Sequence, residues 1–164
     1  MPGQVRFSNP KALAPPPGYS YVVESTGPGR TIYFAGQLGI DTENKFVGAP
    51  GDFRAQCVRA FDNMTLALKA AGARWSDVVK INNFLVNIES NIGAFREVRD
   101  RYLNTAAPPA STTIGVPALA RPGGLFEIEA IAVLPAKAAA KTAARGVKSA
   151  RGAKKSKASR KKRR

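Results

Sequence analysis

The sequence predicts an α+β fold, with one mixed β-sheet and two helices on the same face of it. Three observations carry that expectation. Two segments repeat their apolar residues at three- and four-residue steps, the period of a helix buried along one side. Five short runs are rich in β-branched and aromatic residues, as half-buried strands are. The two kinds alternate in the order ββαβαββ, which suits a single sheet layer covered by a single helix layer.

Taken in order, residues 1–18 read as an extended, proline-rich lead-in, because Pro15, Pro16 and Pro17 fix the backbone near polyproline II. Residues 19–135 read as the globular domain. Tyr19 to Glu24 is the first strand. Gly27 and Gly29 flank Pro28 in a turn, and TIYFAGQLGI follows as a second strand, so a hairpin is expected. Gly36 inside that run points to a bulge or to a close backbone approach. From Asp52 the period changes: Phe53, Cys57, Ala60, Phe61, Met64 and Leu68 form one face of a helix of about five turns. Asp52 is its expected N-cap and Gly72 its expected C′ residue. Trp75 just beyond is expected to pack. VVKINNFLVNI is a third strand, and a second helix then carries Ile92, Phe95, Val98 and Tyr102 on one face. That helix must end before Pro108 and Pro109. ASTTIGV and LFEIEAIAV close the domain across the turn-rich PALARPGG. Apolar side chains lie on both faces of several strands, so the sheet face without helices calls for a partner, and an oligomer is expected.

Composition narrows the chemistry. The chain has 164 residues, one cysteine and no histidine. An internal disulfide, Ser-His and Cys-His nucleophile pairs, and histidine or multi-thiolate metal sites are therefore excluded. Neither a metal nor a cofactor is expected. Carboxylates, hydroxyls, backbone groups, Lys/Arg or a bound water must do any catalysis. No apolar stretch approaches the roughly 20 residues that span a bilayer, and the N-terminus has no secretory apolar core. These features predict a soluble, cytoplasmic protein without membrane contact.

Four stretches resemble the RidA/YjgF (Rid) family of enamine/imine deaminases. They are GYSYVV with FAGQLGID, NMTLALKAAG, DVVKINNFLVNI, and PASTTIGVPALARPGGLFEIEAIAV, and together they span about Tyr19 to Val133. The resemblance implies a chorismate-mutase-like (YjgF-type) fold, a homotrimer around a central β-barrel, and small-molecule clefts between subunits. It also implies hydrolysis of reactive enamines or imines to 2-keto acids and ammonia. Carried over residue by residue, the family's cleft tyrosine falls on Tyr19, its ligand-facing glycine on Gly36 and its water-activating glutamate on Glu127. A family cysteine falls on Thr113. The family arginine that grips the substrate carboxylate falls on Ser111.

That last departure has physical weight. Arginine holds a carboxylate by two charge-assisted bonds, whereas serine offers one neutral bond. Hydrogen bonds to charged groups contribute about 1.5–3 kcal/mol against about 1 for neutral ones, so the exchange weakens carboxylate binding at least tenfold. Either the substrate carries no carboxylate there, or another cation replaces the arginine, or deamination is lost. Arg121 is the best candidate in sequence. Thr112 and Thr113, beside Ser111, offer hydroxyl donors. Glu127 and Glu129, two apart on a strand, are expected to share a face. The family has also been linked to ribonuclease activity, for which this chain has no histidine to offer.

The net charge of +15 is segregated. Residues 1–135 hold 13 Lys+Arg against 11 Asp+Glu, whereas residues 136–164 hold 13 Lys+Arg and no acid. This Lys/Arg/Ala-rich tail cannot bury enough apolar surface to fold alone and is expected to be disordered. Lys154, Lys155, Lys157, Arg160, Lys161, Lys162, Arg163 and Arg164 are its densest cations. They suit nonspecific DNA or RNA phosphate binding, which opens a second reading: a non-catalytic, ligand-binding trimer tethered to nucleic acid. A solubilising extension is the alternative for the tail. No aromatic residue interleaves with the charges, so base stacking is not supplied.

Overall fold

The computed structural model describes residues 3–136. The expectations of a disordered tail and of phosphate contacts by Lys154 to Arg164 lie outside the described residues. Six strands and two helices follow one another: β1 (Gln4–Ser8), β2 (Val22–Thr26), β3 (Gly29–Leu38), α1 (Phe53–Ala70), β4 (Val78–Val86), α2 (Ile88–Arg99), β5 (Ala110–Val116) and β6 (Phe126–Pro135). A short 3₁₀ turn, Trp75–Asp77, leads into β4.

Two sheets form. β1 and β2 pair antiparallel, from Gln4 opposite Thr26 to Ser8 opposite Val22. The main sheet has the order β3-β6-β4-β5, antiparallel except for β4 and β5. The parallel pair is joined through α2, as a parallel connection requires a crossover. Two expectations are thereby corrected. The lead-in contains a strand, and β2 pairs with it and not with β3. QVRFS alternates polar and apolar residues, and an Arg6–Glu24 ion pair at 2.6 Å spans the ladder. β3 is left to pair with β6.

The helix layer forms as the periodicity predicts. The Asp52 side chain accepts from the Ala55 N–H at 2.9 Å and caps α1, while Gly72 takes the left-handed φ of +73° after its end. Phe61 is fully buried at the centre of the core. Its ring stacks on Phe126 at 5.7 Å and on Tyr102 at 4.8 Å, and Trp75 closes in at 5.5 Å. Each such buried side chain contributes about 1.5–3 kcal/mol, so both helices are fixed against one face of the main sheet. The other face stays uncovered in a single chain. There Tyr33 and Ile114 are exposed, 76% and 46%.

Candidate functional site

Strand register sorts the candidate residues, because residues paired across neighbouring strands share a face. Glu127 lies opposite Phe84 and Glu129 opposite Asn82, and Asn82 in turn lies opposite Thr112. These groups occupy the outer, helix-free face. Ile81 and Asn83 pair with Ser111 and Thr113, and both point into the helix side.

On the outer face, Glu127 is half-buried and lies against β3 at its bulge. The register of β3 against β6 shifts between Phe34 and Gln37, and Gly36 sits in that shift. A Cβ on Gly36 would lie 1.8 Å from Glu127 Oε1. The missing side chain is therefore what admits the carboxylate, and both sequence expectations for Gly36, bulge and close approach, hold. Burial raises the pKa of Glu127, and the like charge of Glu129 raises it further. Glu129 accepts from Asn82 Nδ2 at 3.3 Å. Lys80, whose pKa is lowered by burial, donates to Thr112 Oγ1 at 2.5 Å.

On the inner side, a cleft of about 350 Å³ opens between the lead-in, α2 and β5. Tyr19, Ser111 and Thr113 line it together. Ser20 sets this arrangement. Its N–H donates to Pro109 O at 3.2 Å and its hydroxyl to Pro108 O at 2.6 Å, which clamps the residue after Tyr19 to the residues before β5. Beneath the cleft, fully buried Asn83 donates through Nδ2 to Ser111 Oγ, Thr112 O and Thr113 Oγ1 at 3.1–3.3 Å. Its Oδ1 has no partner.

The structure thus splits the sequence candidates. Tyr19, Ser111 and Thr113 come together; Glu127 and Gly36 come together elsewhere. Thr112 also borders the cleft, but its hydroxyl is turned away from Ser111: consecutive strand residues face opposite ways, and its Oγ1 lies with Lys80. Arg121 does not reach the cleft. Its guanidinium binds the Asn44 side chain and carbonyl and lies over the Phe46 ring at 5.1 Å, because the PALARPGG turn leaves the far end of β5. The EIEAIA strand lies inside the sheet, flanked by β3 and β4.

Sequence reasoning missed Asn83, Arg96 and Arg99. The two arginines are one helical turn apart on α2 and line the inner cleft. Their i, i+3 spacing was visible; which strand that face covers was not. Among the described residues no cluster of three His, Cys, Asp or Glu could hold a metal, and no helix is long and apolar enough to cross a membrane.

The chain is similar to known proteins over nearly the whole described region. The family model described as endoribonuclease L-PSP matches residues 9–134. A 2-iminobutanoate/2-iminopropanoate deaminase of Dermatophagoides farinae is 35% identical over 129 residues, covering 78% of this chain and 94% of that protein. Protein DfrA of Myxococcus xanthus is 37% identical over 124 residues, 76% of this chain and 88% of that one. Among solved structures, YyfB of Yersinia pestis, a protein of unknown function of the conserved Rid family, superposes with a TM-score of 0.70. It is 36% identical and covers 79% of this chain and 98% of that one. RidA of an Antarctic Psychrobacter gives a TM-score of 0.58 at 33% identity, covering 70% and 89%.

Proposed function

This chain belongs to the endoribonuclease L-PSP family, also called the YjgF/RidA family, and from that premise we propose that it hydrolyses reactive enamines or imines with altered substrate specificity. The observation that carries the reading is the Glu127 carboxylate, half-buried on the bare backbone of Gly36 with its proton affinity raised. A carboxylate so placed can take a proton from water near neutral pH more readily than an ordinary glutamate. Water attacks the imine carbon and one of its protons passes through Glu127 to the nitrogen; the proton of the resulting hydroxyl follows as the C–N bond breaks. The products are a carbonyl compound and ammonia. Deaminase-named relatives at 35% identity support the reaction class, and the resemblance that sets Ser111 at the family's arginine position supports the altered specificity. Without a histidine, the chain gives no such support to ribonuclease chemistry.

The assembly belongs to the proposal. Glu127 and Ser111 lie on opposite faces of one sheet, so they can serve one ligand only when they come from two protomers. A homotrimer with its outer sheet faces around a central barrel supplies that arrangement and covers Tyr33 and Ile114. Light scattering should give three times 17.4 kDa. The test of the chemistry is Glu127→Gln, which keeps shape and removes the base. It should abolish hydrolysis of whichever imine the unsubstituted protein hydrolyses; a wild-type rate on that substrate would end the reading.

The segregated charge favours a second role alongside this one: the tail brings the trimer to nucleic acid. A gel shift comparing the full chain with one ending at Pro135 tests it. The full chain should be retarded, and the effect should fall steeply with salt, as backbone-driven binding does. Equal retardation of both would exclude the tail.

A further inference from the structure

Ser111 leaves β5 without a cation, yet the cleft around it is rich in them. Arg96 is exposed on α2 and forms no ion pair among the described residues. Arg99 is 6% exposed. Its Nη2 lies 2.8 Å from Asp100 Oδ1, and Nε donates to the same oxygen at 2.8 Å. Nη1 has no protein acceptor among the described residues. The guanidinium is fixed from two further sides. It lies 5.7 Å from the centre of the Phe95 ring, and it fills the space where Gly18 would carry a Cβ, 2.3 Å from Nη2. A charge held this tightly at a cleft wall is preorganised, because little side-chain freedom remains to be lost on binding.

The hydroxyls are oriented the same way. Thr112 O can only accept, so the Asn83 amide must present its NH₂ to it, and the neighbouring Ser111 and Thr113 oxygens then accept from the same nitrogen. Their own protons remain free to be donated to a ligand. Donors therefore converge from β5 and α2, and no carboxylate lines the cavity. Such a site matches an anion of a few atoms.

We propose that Arg96 and Arg99, with the Ser111 and Thr113 hydroxyls, form a carboxylate-binding subsite whose cations come from α2 and not from β5. It deepens the reading above by naming what holds the ligand. The full chain should be titrated calorimetrically with 2-oxobutanoate, a carboxylate of the 2-keto-acid class, and with 2-butanone, which lacks the carboxylate. Arg96 is exposed, so its substitution leaves the fold intact. Arg96→Gln should weaken 2-oxobutanoate binding tenfold or more. Arg96→Lys, which keeps the charge without the fork, should fall between. 2-Butanone should bind at least tenfold more weakly than the keto acid and ignore both variants. Wild-type affinity in Arg96→Gln, equal binding of the two compounds, or no keto-acid binding by the wild type would each overturn the subsite. If Arg96-dependent binding is present and hydrolysis is absent, the subsite stands and the hydrolase reading fails. Hydrolysis with binding indifferent to Arg96 gives the reverse.

Discussion

Gly36→Ala is the sharpest probe of the outer-face acid. The backbone accepts the change, because Gly36 is not among the residues with a left-handed φ. The new Cβ would stand 1.8 Å from Glu127 Oε1, 2.7 Å from Cδ and 3.1 Å from Cγ. Ordinary contact begins near 3.4 Å, so the nearer oxygen must retreat by about 1.6 Å, and the carboxyl group must swing rather than shift. The obstruction is the end of a flexible side chain, so the fold should barely register it. A glycine-to-alanine change at a compatible site alters stability by about 0.4–1 kcal/mol in the favourable direction. Catalysis should register it strongly, since a misplacement of about 1 Å costs roughly a hundredfold in rate. The assay generates an imino acid in situ with an amino-acid oxidase and follows ammonia release, beside a thermal melt. The expected result is kcat/KM down about a hundredfold with the melting temperature unchanged or slightly raised. A wild-type rate with an intact melt would show that the position of Glu127 is not used. A collapsed melt would show that the bulge, and not the carboxylate, is what the glycine serves.

Two further outcomes are accessible with the same protein. The acidic limb of kcat/KM against pH should lie above the ordinary glutamate range, because burial and Glu129 both raise the pKa of Glu127. Activity then rises with pH through that raised value, and Glu129→Gln, by removing the like charge, should move the limb to lower pH. A limb that stays in place would assign it to another group. Asp52→Ala should remove the cap on Ala55 N–H and cost about 1 kcal/mol, seen as a melting temperature lower by a few degrees with kcat unchanged.

The helices were legible because their signals are local. Asp52, the 3.6-residue period and Gly72 mark α1 from end to end. The phase of Glu127 with Glu129 was equally local, and so was the separation of Ser111 from Thr112. Pairing was not. Sequence neighbours usually pair, which made a β2–β3 hairpin the natural expectation. The proline run also drew attention from Gln4–Ser8, whose ladder with β2 bridges the intervening prolines. The inner cleft was half legible. Tyr19 and Ser111 came from the resemblance, but Arg96 and Arg99 enter only through the way α2 crosses back over β5. That placement depends on packing many residues away and leaves no mark on the arginines themselves.

Glu127 and Ser111 face opposite sides of one sheet. If each working site takes its acid from one protomer and its cleft from another, two variants dead for different reasons should rescue each other. Glu127→Gln lacks the acid, and Ser111→Phe fills the cleft. Each alone should be inactive. Unfolded together at equal amounts and refolded, protomers of a symmetric oligomer mix at random, so about a quarter of the shared sites combine an intact acid with an intact cleft. Activity should therefore return toward about a quarter of wild type and should not appear when separately refolded samples are combined without exchange. If acid and cleft worked within one protomer, every mixed site would carry one lesion or the other and no activity would return. Persistent silence in refolded mixtures of confirmed trimers would thus refute the shared site, whichever substrate the protein takes.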